Sequence, residues 1–312
     1  LKIKLDQEIS EKRSAAVLKN YYMESLPFLK ANFYTTLIEG RIRGDEVEKY
    51  LRDYQIEFEG PYYCCLVIHT SSTQVEKNMN PVLLAMSVQK QAKEYLGEKW
   101  KAKRFTYLGN MVMLAQLENE NDVSELTDEC DRFCRYARRI IGAVVTVGVG
   151  WVCSNILELS QSYSSAREAV SYRAIYGTSR AINIREIAPQ ETGGFETVND
   201  AEISNLFKMI RLNSKEDIIE EANKYMNHIF LPTKSLQYHH IAVMELVSLL
   251  YRFAANNDIQ TDAFSGDMGE LYSRLIEMAP DALRKWFVDI CLAFQESLIS
   301  TRNKSTKSFV LR

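Results

Sequence analysis

Between residues 123 and 140 the apolar positions step by threes and fours. Val123, Leu126, Cys130, Phe133, Ala137 and Ile140 mark the buried stripe of an amphipathic helix. Two other stretches are apolar without a break, "PYYCCLVIH" (61–69) and "AVVTVGVGW" (143–151). Runs of that kind suit strands covered on both faces. Between them lies a helix over Pro81–Leu96, with Leu84, Val88, Ala92 and Tyr95 on one side. It is followed by "FTYLGNMVMLAQL" (105–117), which reads as a hairpin turning at Gly109-Asn110, residue types that accept positive φ. The resulting order, β-α-β-β-α-β, is that of ferredoxin-like folds. Ile156, Leu159, Tyr163, Ala166 and Val170 mark one more helix, and "RAINIREI" (180–187) reads as a closing strand.

The flanks have a different texture. Residues 1–24 are charged and helix-prone, with Leu1, Leu5, Ile9, Ala16 and Val17 as sparse apolar points. A helix this polar either lies against a copy of itself or runs solvated as a linker. On the first alternative Leu5, Ile9 and Ala16 are the candidate dimer contacts. Ser25 and Pro27 suit the cap and first turn of a new helix, in which Leu26, Leu29, Phe33 and Leu37 require a partner surface. "RGDEVEKYLRDYQI" (43–56) is a further short helix. "APQETGGFETVND" (188–200) carries Pro, paired Gly and polar residues and is read as a domain boundary. Beyond it the pattern is helical throughout. Ser214 with Asp217 resembles a capping box ahead of Ile218, Ala222, Met226 and Ile229. A long helix covers 235–256, and Pro280 opens another with Leu283, Phe287, Ile290, Phe294 and Leu298 on its buried side. "STRNKSTKS" (300–308) is polar and basic and reads as a linker. The expected organisation is α+β: a ferredoxin-like antiparallel sheet with helices at 59–190, preceded by a helical linker or coiled coil at 1–58. A helical domain at 191–300 and a linker at 301–312 follow.

Composition narrows the function classes. The chain has 312 residues, 46% hydrophobic and 25% charged, as in soluble globular proteins of about two domains. No apolar run reaches the roughly 18 residues a membrane span needs, and no signal peptide is recognisable. The first residue is Leu1 rather than Met, which suggests a piece of a longer protein. A net charge of −3 argues against direct contact with nucleic acid, because phosphate neutralisation requires a basic excess. Cys64, Cys65, Cys130, Cys134, Cys153 and Cys291 sit within apolar or helical patterns, without disulfide-scaffold spacing, which points to a reducing cytoplasm.

Candidate chemistry is thin. His69 ends the first strand without a neighbouring carboxylate. His239 and His240 project about 100° apart on one helix and cannot easily share a metal with each other or with His228. Cys130 and Cys134 have helical ligand spacing but lie along the apolar stripe, with no second pair to complete a site. "VGVG" (147–150) lacks the third glycine and helix start of a dinucleotide fingerprint, and its glycines read as the end of a strand beside a crossing helix. Arg132, Arg135, Arg138 and Arg139 form a basic helix face, solvated or turned to an acidic partner. No paired-acid, Ser-His-Asp or Cys-His constellation is present, so no catalytic, cofactor or metal residue is assigned.

The element order, the Gly-Val-Gly of 148–150, Ser162-Tyr163, Ala166, Ala169, Tyr172-Arg173 and Tyr176-Gly177 together resemble a degenerate GGDEF fold. It is the form found in the middle of AraC-type transcription regulators, notably YesN-like response regulators. Residues 8–42 are similar to the segment that follows the receiver domain in such proteins, and "SFVLR" (308–312) to the lead-in to their DNA-binding domain. In active diguanylate cyclases an Asp ends the first strand and an acidic pair occupies the hairpin, holding two Mg²⁺ ions through hard oxygen ligands. Here the first strand ends Val67, Ile68, His69, Thr70, Ser71, and Leu108, Gly109, Asn110, Met111 and Val112 align with the signature. One glycine remains and both acids are gone. The resemblance therefore implies a non-enzymatic, cofactor-free signal-relay and dimerisation region of a two-component transcription regulator. It would be a cytoplasmic homodimer that reaches DNA only through a downstream domain and is controlled by an upstream receiver. The alternative is a small-ligand sensing domain, for a nucleotide or sugar, in a regulator tied to a membrane-bound sensor.

Overall fold

The computed structural model describes residues 2–71, 80–97, 99–187, 200–212, 214–230, 235–259 and 268–310, with the side chains of 2–16, 200–202 and 302–310 outside that description. The chain divides into two compact units, one of Leu1–Val170 with Ser179–Ile187, the other of Ser171–Thr178 with Ala188–Arg312.

The first unit is α+β. Helices α1 (Lys2–Ile38) and α2 (Gly44–Asp53) precede β1 (Tyr62–Thr70), α3 (Pro81–Leu96), β2 (Lys103–Tyr107), β3 (Asn110–Leu117), α4 (Asp122–Tyr136), β4 (Val145–Cys153) and α5 (Leu159–Ser171). After α6 (Arg173–Tyr176), β5 (Ala181–Asn183) returns to the sheet. The strand order is β2-β3-β1-β4-β5. The central strands pair antiparallel as expected, but β5 lies parallel to β4, so the sheet is mixed rather than antiparallel. The reason is the helical crossover between β4 and β5, which returns the chain in its original direction.

β1 is apolar from Tyr62 to Ile68 because both of its faces are covered there. Cys64, Leu66 and Ile68 face a core shared with Leu84, Val88, Leu126, Cys130 and Phe133 of α3 and α4. Cys65 and Val67 face the opposite core, formed with Phe33, Leu37, Tyr163 and Ala166 of α1 and α5. The two glycines of β4 explain how α5 comes so close. A Cβ on Gly148 would stand 2.0 Å from the carbonyl oxygen of Ala166, and one on Gly150 would stand 2.0 Å from that of Ser162. The glycines thus lie inside the strand, with the helix backbone resting directly on them. Opposite Cys65 the β1–β4 register shifts, and the bulge frees main-chain groups. Ser162 and Ser165 take them up. Cys65 N–H donates to Ser162 Oγ at 2.8 Å, Ser162 Oγ donates to Trp151 O at 2.6 Å, and Trp151 N–H donates to Ser165 Oγ at 2.9 Å.

Three local expectations need correction. Ser25 and Pro27 do not start a helix. They lie inside one continuous α1, where the Ser25 hydroxyl donates to Tyr21 O at 2.7 Å instead of capping. Pro27 lacks its own N–H, and Phe33, Leu37 and Ile38 hold the following turns against the sheet. The hairpin turns at Leu108-Gly109, one residue earlier than expected, with φ of 47° and 75° and Tyr107 paired to Asn110. The polar stretch 300–308 continues a helix rather than breaking into coil. The boundary segment at 188–199 and the side chains of Leu5, Ile9 and Ala16 lie outside the described residues.

The second unit is helical: α7 (Asp200–Leu212), α8 (Lys215–Phe230), α9 (Leu236–Asn256), α10 (Met268–Ile276) and α11 (Pro280–Val310), together with α6. The capping box forms reciprocally, Asp217 N–H donating to Ser214 Oγ at 3.2 Å and Ser214 N–H to Asp217 Oδ2 at 3.3 Å. Ile218, Ala222, Met226, Ile229, Leu283, Phe287, Ile290 and Phe294 are all buried in one core.

Candidate functional site

The end of β1 meets the hairpin where the resemblance places catalysis. Ile68 pairs with Met111 across the β1–β3 ladder, and His69 follows it. The amide of Asn110 bridges the two strands. Its Nδ2 donates to Leu108 O at 3.2 Å, and its Oδ1 lies 2.9 Å from His69 Nδ1. Since Oδ1 is the acceptor end of that amide, the imidazole proton sits on Nδ1 and donates. Position 110, where the signature requires an acid, therefore carries a neutral amide hydrogen-bonded to His69, the penultimate residue of β1.

The other hairpin residues serve packing or the turn. Met111 is 5% exposed and lies in the core under α3 and α4. Val112 is fully buried against the opposite core. Leu108 is 67% exposed at the tip, and Gly109 has open space around it. Leu108 is held at a φ that costs a branched residue about 1 kcal/mol. Just below the turn, Tyr107 donates its phenol proton to Glu39 Oε1 at 2.6 Å and stands its ring edge-on to Tyr163. This bond raises the Tyr107 pKa and lowers that of Glu39, and it ties the residue after α1 to the base of the hairpin.

What the cleft can do chemically follows from its donors. Val67 and Ile68 are buried aliphatics, and His69, Thr70 and Ser71 supply an imidazole and hydroxyls. Mg²⁺ prefers carboxylate oxygens. Among the described residues no group of three or more His, Cys, Asp or Glu side chains is placed to hold a metal ion. Residues 72–79, directly after β1, lie outside the described set.

The remaining sequence candidates are scattered. His239 is buried with its ring 5.5 Å from that of Phe230 and 6.3 Å from that of His240, while His228 is exposed. Burial, and secondarily the His240 charge, pushes the His239 pKa down to about 4, and its Nε2 finds no partner among the described residues. All six cysteines are buried free thiols. Burial holds Cys130 well above its ordinary pKa and pushes Cys134 up to about 12, so both stay protonated and unreactive at neutral pH. On α4, Arg132 and Arg135 pair with Glu129 and Asp131, and Arg138 and Arg139 are exposed on the π-helical turn Ala137–Ile141 that follows. Sequence reasoning missed the His69–Asn110 bond, the Ser162/Ser165 clamp and this π-helical turn. The seryl pair in a small-residue helix facing Gly-Val-Gly was the one available signal.

No described helix is long and apolar enough to cross a membrane. No curated protein and no solved structure matches the chain. A family model described as a GGDEF-like domain matches residues 39–172, a span that begins directly after α1 and contains α2, β1 to β4 and all of α5. Residues 39–172 are thus a GGDEF-like domain, and α1 and β5 lie outside the matched span.

Proposed function

We propose that this chain is the non-catalytic relay and dimerisation region of a cytoplasmic AraC-type transcription regulator, of the YesN-like response-regulator kind. A receiver would act upstream of it and a DNA-binding domain downstream. The observation that supports the non-catalytic part is the hydrogen-bonded pair His69–Asn110, which brings an imidazole and an amide, and no carboxylate, to the place where a cyclase needs carboxylates to hold Mg²⁺. The regulator context rests on the sequence resemblance.

Dimerisation is supported by the two-sidedness of α1. Leu26, Phe33 and Leu37 are buried on one side of the helix. Val17, Tyr21 and Phe28 project from the opposite side, at about 100° per residue, and are 53%, 65% and 75% exposed. A second copy of the helix would cover that stripe. Signalling would then shift the population between two pairings of these helices. The Glu39–Tyr107 bond gives a mechanical link from the end of α1 to the hairpin.

Sedimentation tests the dimer. At tens of micromolar the chain should sediment as a dimer, and Tyr21→Glu with Phe28→Glu should convert it to a folded monomer. A chain monomeric before and after substitution would contradict the relay by dimer rearrangement.

A further inference from the structure

β2 is one of the two edge strands of the sheet. Its ladder with β3 closes at the Tyr107–Asn110 pair, so the main-chain groups of Lys103, Phe105 and Tyr107 point inward. By alternation, the N–H and C=O of Arg104 and Thr106 point outward from the sheet. Both residues are exposed. Beside this edge, between β2 and α3, runs an open groove of about 420 Å³. Met86 and Met111 contribute apolar surface to it, Lys90, Lys93 and Arg104 contribute charge, and among the described residues no carboxylate lines it. Phe105 turns its side chain the other way, where its ring lies 5.6 Å from that of Tyr34.

Charged residues on an edge strand commonly guard it against accidental pairing. Arg104 alone would serve that purpose. Lys90 and Lys93 belong to a separate helix, and bringing them to the same groove adds repulsion that an edge guard does not require. An anionic occupant removes the repulsion. The free main-chain groups of the neighbouring edge specify an extended one.

We propose that this edge takes up an extended segment of a partner protein as an added strand. Its side chains facing α3 are acidic and meet Lys90, Lys93 and Arg104. Its alternate side chains are apolar and lie on the Phe105 face of the sheet. Main-chain bonds to Arg104 and Thr106 hold it, and the charges set its register. The inference stands apart from the dimer reading, since it needs the open edge of β2 beside α3 and not the exposed side of α1.

The test uses the full chain and a fluorescein-labelled peptide of alternating Glu and Val. Binding should saturate, weaken at least about tenfold in a Lys90→Glu, Lys93→Glu variant, and weaken similarly for a peptide of alternating Lys and Val. In the bound state, amide exchange at Arg104 and Thr106 should slow at least about tenfold, while Phe105, already bonded to β3, changes little. Failure to saturate by about 1 mM, equal affinity for the Lys-Val peptide, or binding without slowed exchange at Arg104 and Thr106 would each overturn the proposal.

Discussion

Gly148→Ala is expected to lower the stability of the sheet-bearing unit by about 3 kcal/mol or more. The added methyl carbon would lie 2.0 Å from Ala166 O and 2.9 Å from Val170 N, both backbone atoms of α5. A side-chain rotation cannot relieve such a clash, so the helix must lift from β4. Lifting it would also strain the Ser162 and Ser165 bonds that satisfy the bulge opposite Cys65. Gly109→Ala is the control. Its φ of 75° is unfavourable to alanine, but nothing lies within 4 Å of the new atom, so about 1 kcal/mol is the expected loss. Trp100 and Trp151 report on this unit and Trp286 on the other, so denaturant unfolding followed at single-tryptophan variants separates the two. Equal effects of the two glycine substitutions would refute the close-approach explanation.

The helical unit should lose stability in mild acid, through His239. Its folded pKa is about 4 against an ordinary 6.5, mainly because burial disfavours the imidazolium. A base whose pKa is depressed by folding takes up protons first in the unfolded chain. Stability is therefore unaffected above about pH 6.5, falls as the pH drops from there to about 4, and levels off below. Over that window the expected loss is about 3 kcal/mol. His239→Leu should flatten this part of the profile. It also removes an Nε2 atom without a partner among the described residues, so stability at pH 7 should not fall. Urea unfolding at several pH values, read through Trp286, measures both. A slope unchanged by His239→Leu would assign the acid sensitivity elsewhere.

Most elements were legible because burial imposes a period on the sequence. The three-four spacing of Val123 to Phe133 became α4, and the unbroken run of β1 reflects two covered faces. Local signals failed where tertiary bonds outweighed them. Gly109-Asn110 is the better turn by propensity, yet pairing Tyr107 with Asn110 sets the amide against His69 and the phenol against Glu39. Those bonds offset the strain at Leu108. Pro27 looked like a helix start because only the anchoring of Phe33 and Leu37 shows that the helix runs through it. At the candidate site the missing acids were visible in the sequence. The Asn110–His69 bond was not, since nothing local links positions 69 and 110. The basic groove at β2 was equally hidden, because Lys90, Lys93 and Arg104 meet only once α3 has been laid beside the edge strand.

The central proposal is that the domain transmits rather than synthesises, because Asn110 and His69, and no carboxylate among the described residues, stand where β1 meets the hairpin. Incubating the full chain with GTP and Mg²⁺, and separating the nucleotides by chromatography, tests it most directly. The account predicts unchanged GTP and no cyclic dinucleotide. Accumulation of cyclic dinucleotide that rises with protein concentration would contradict it.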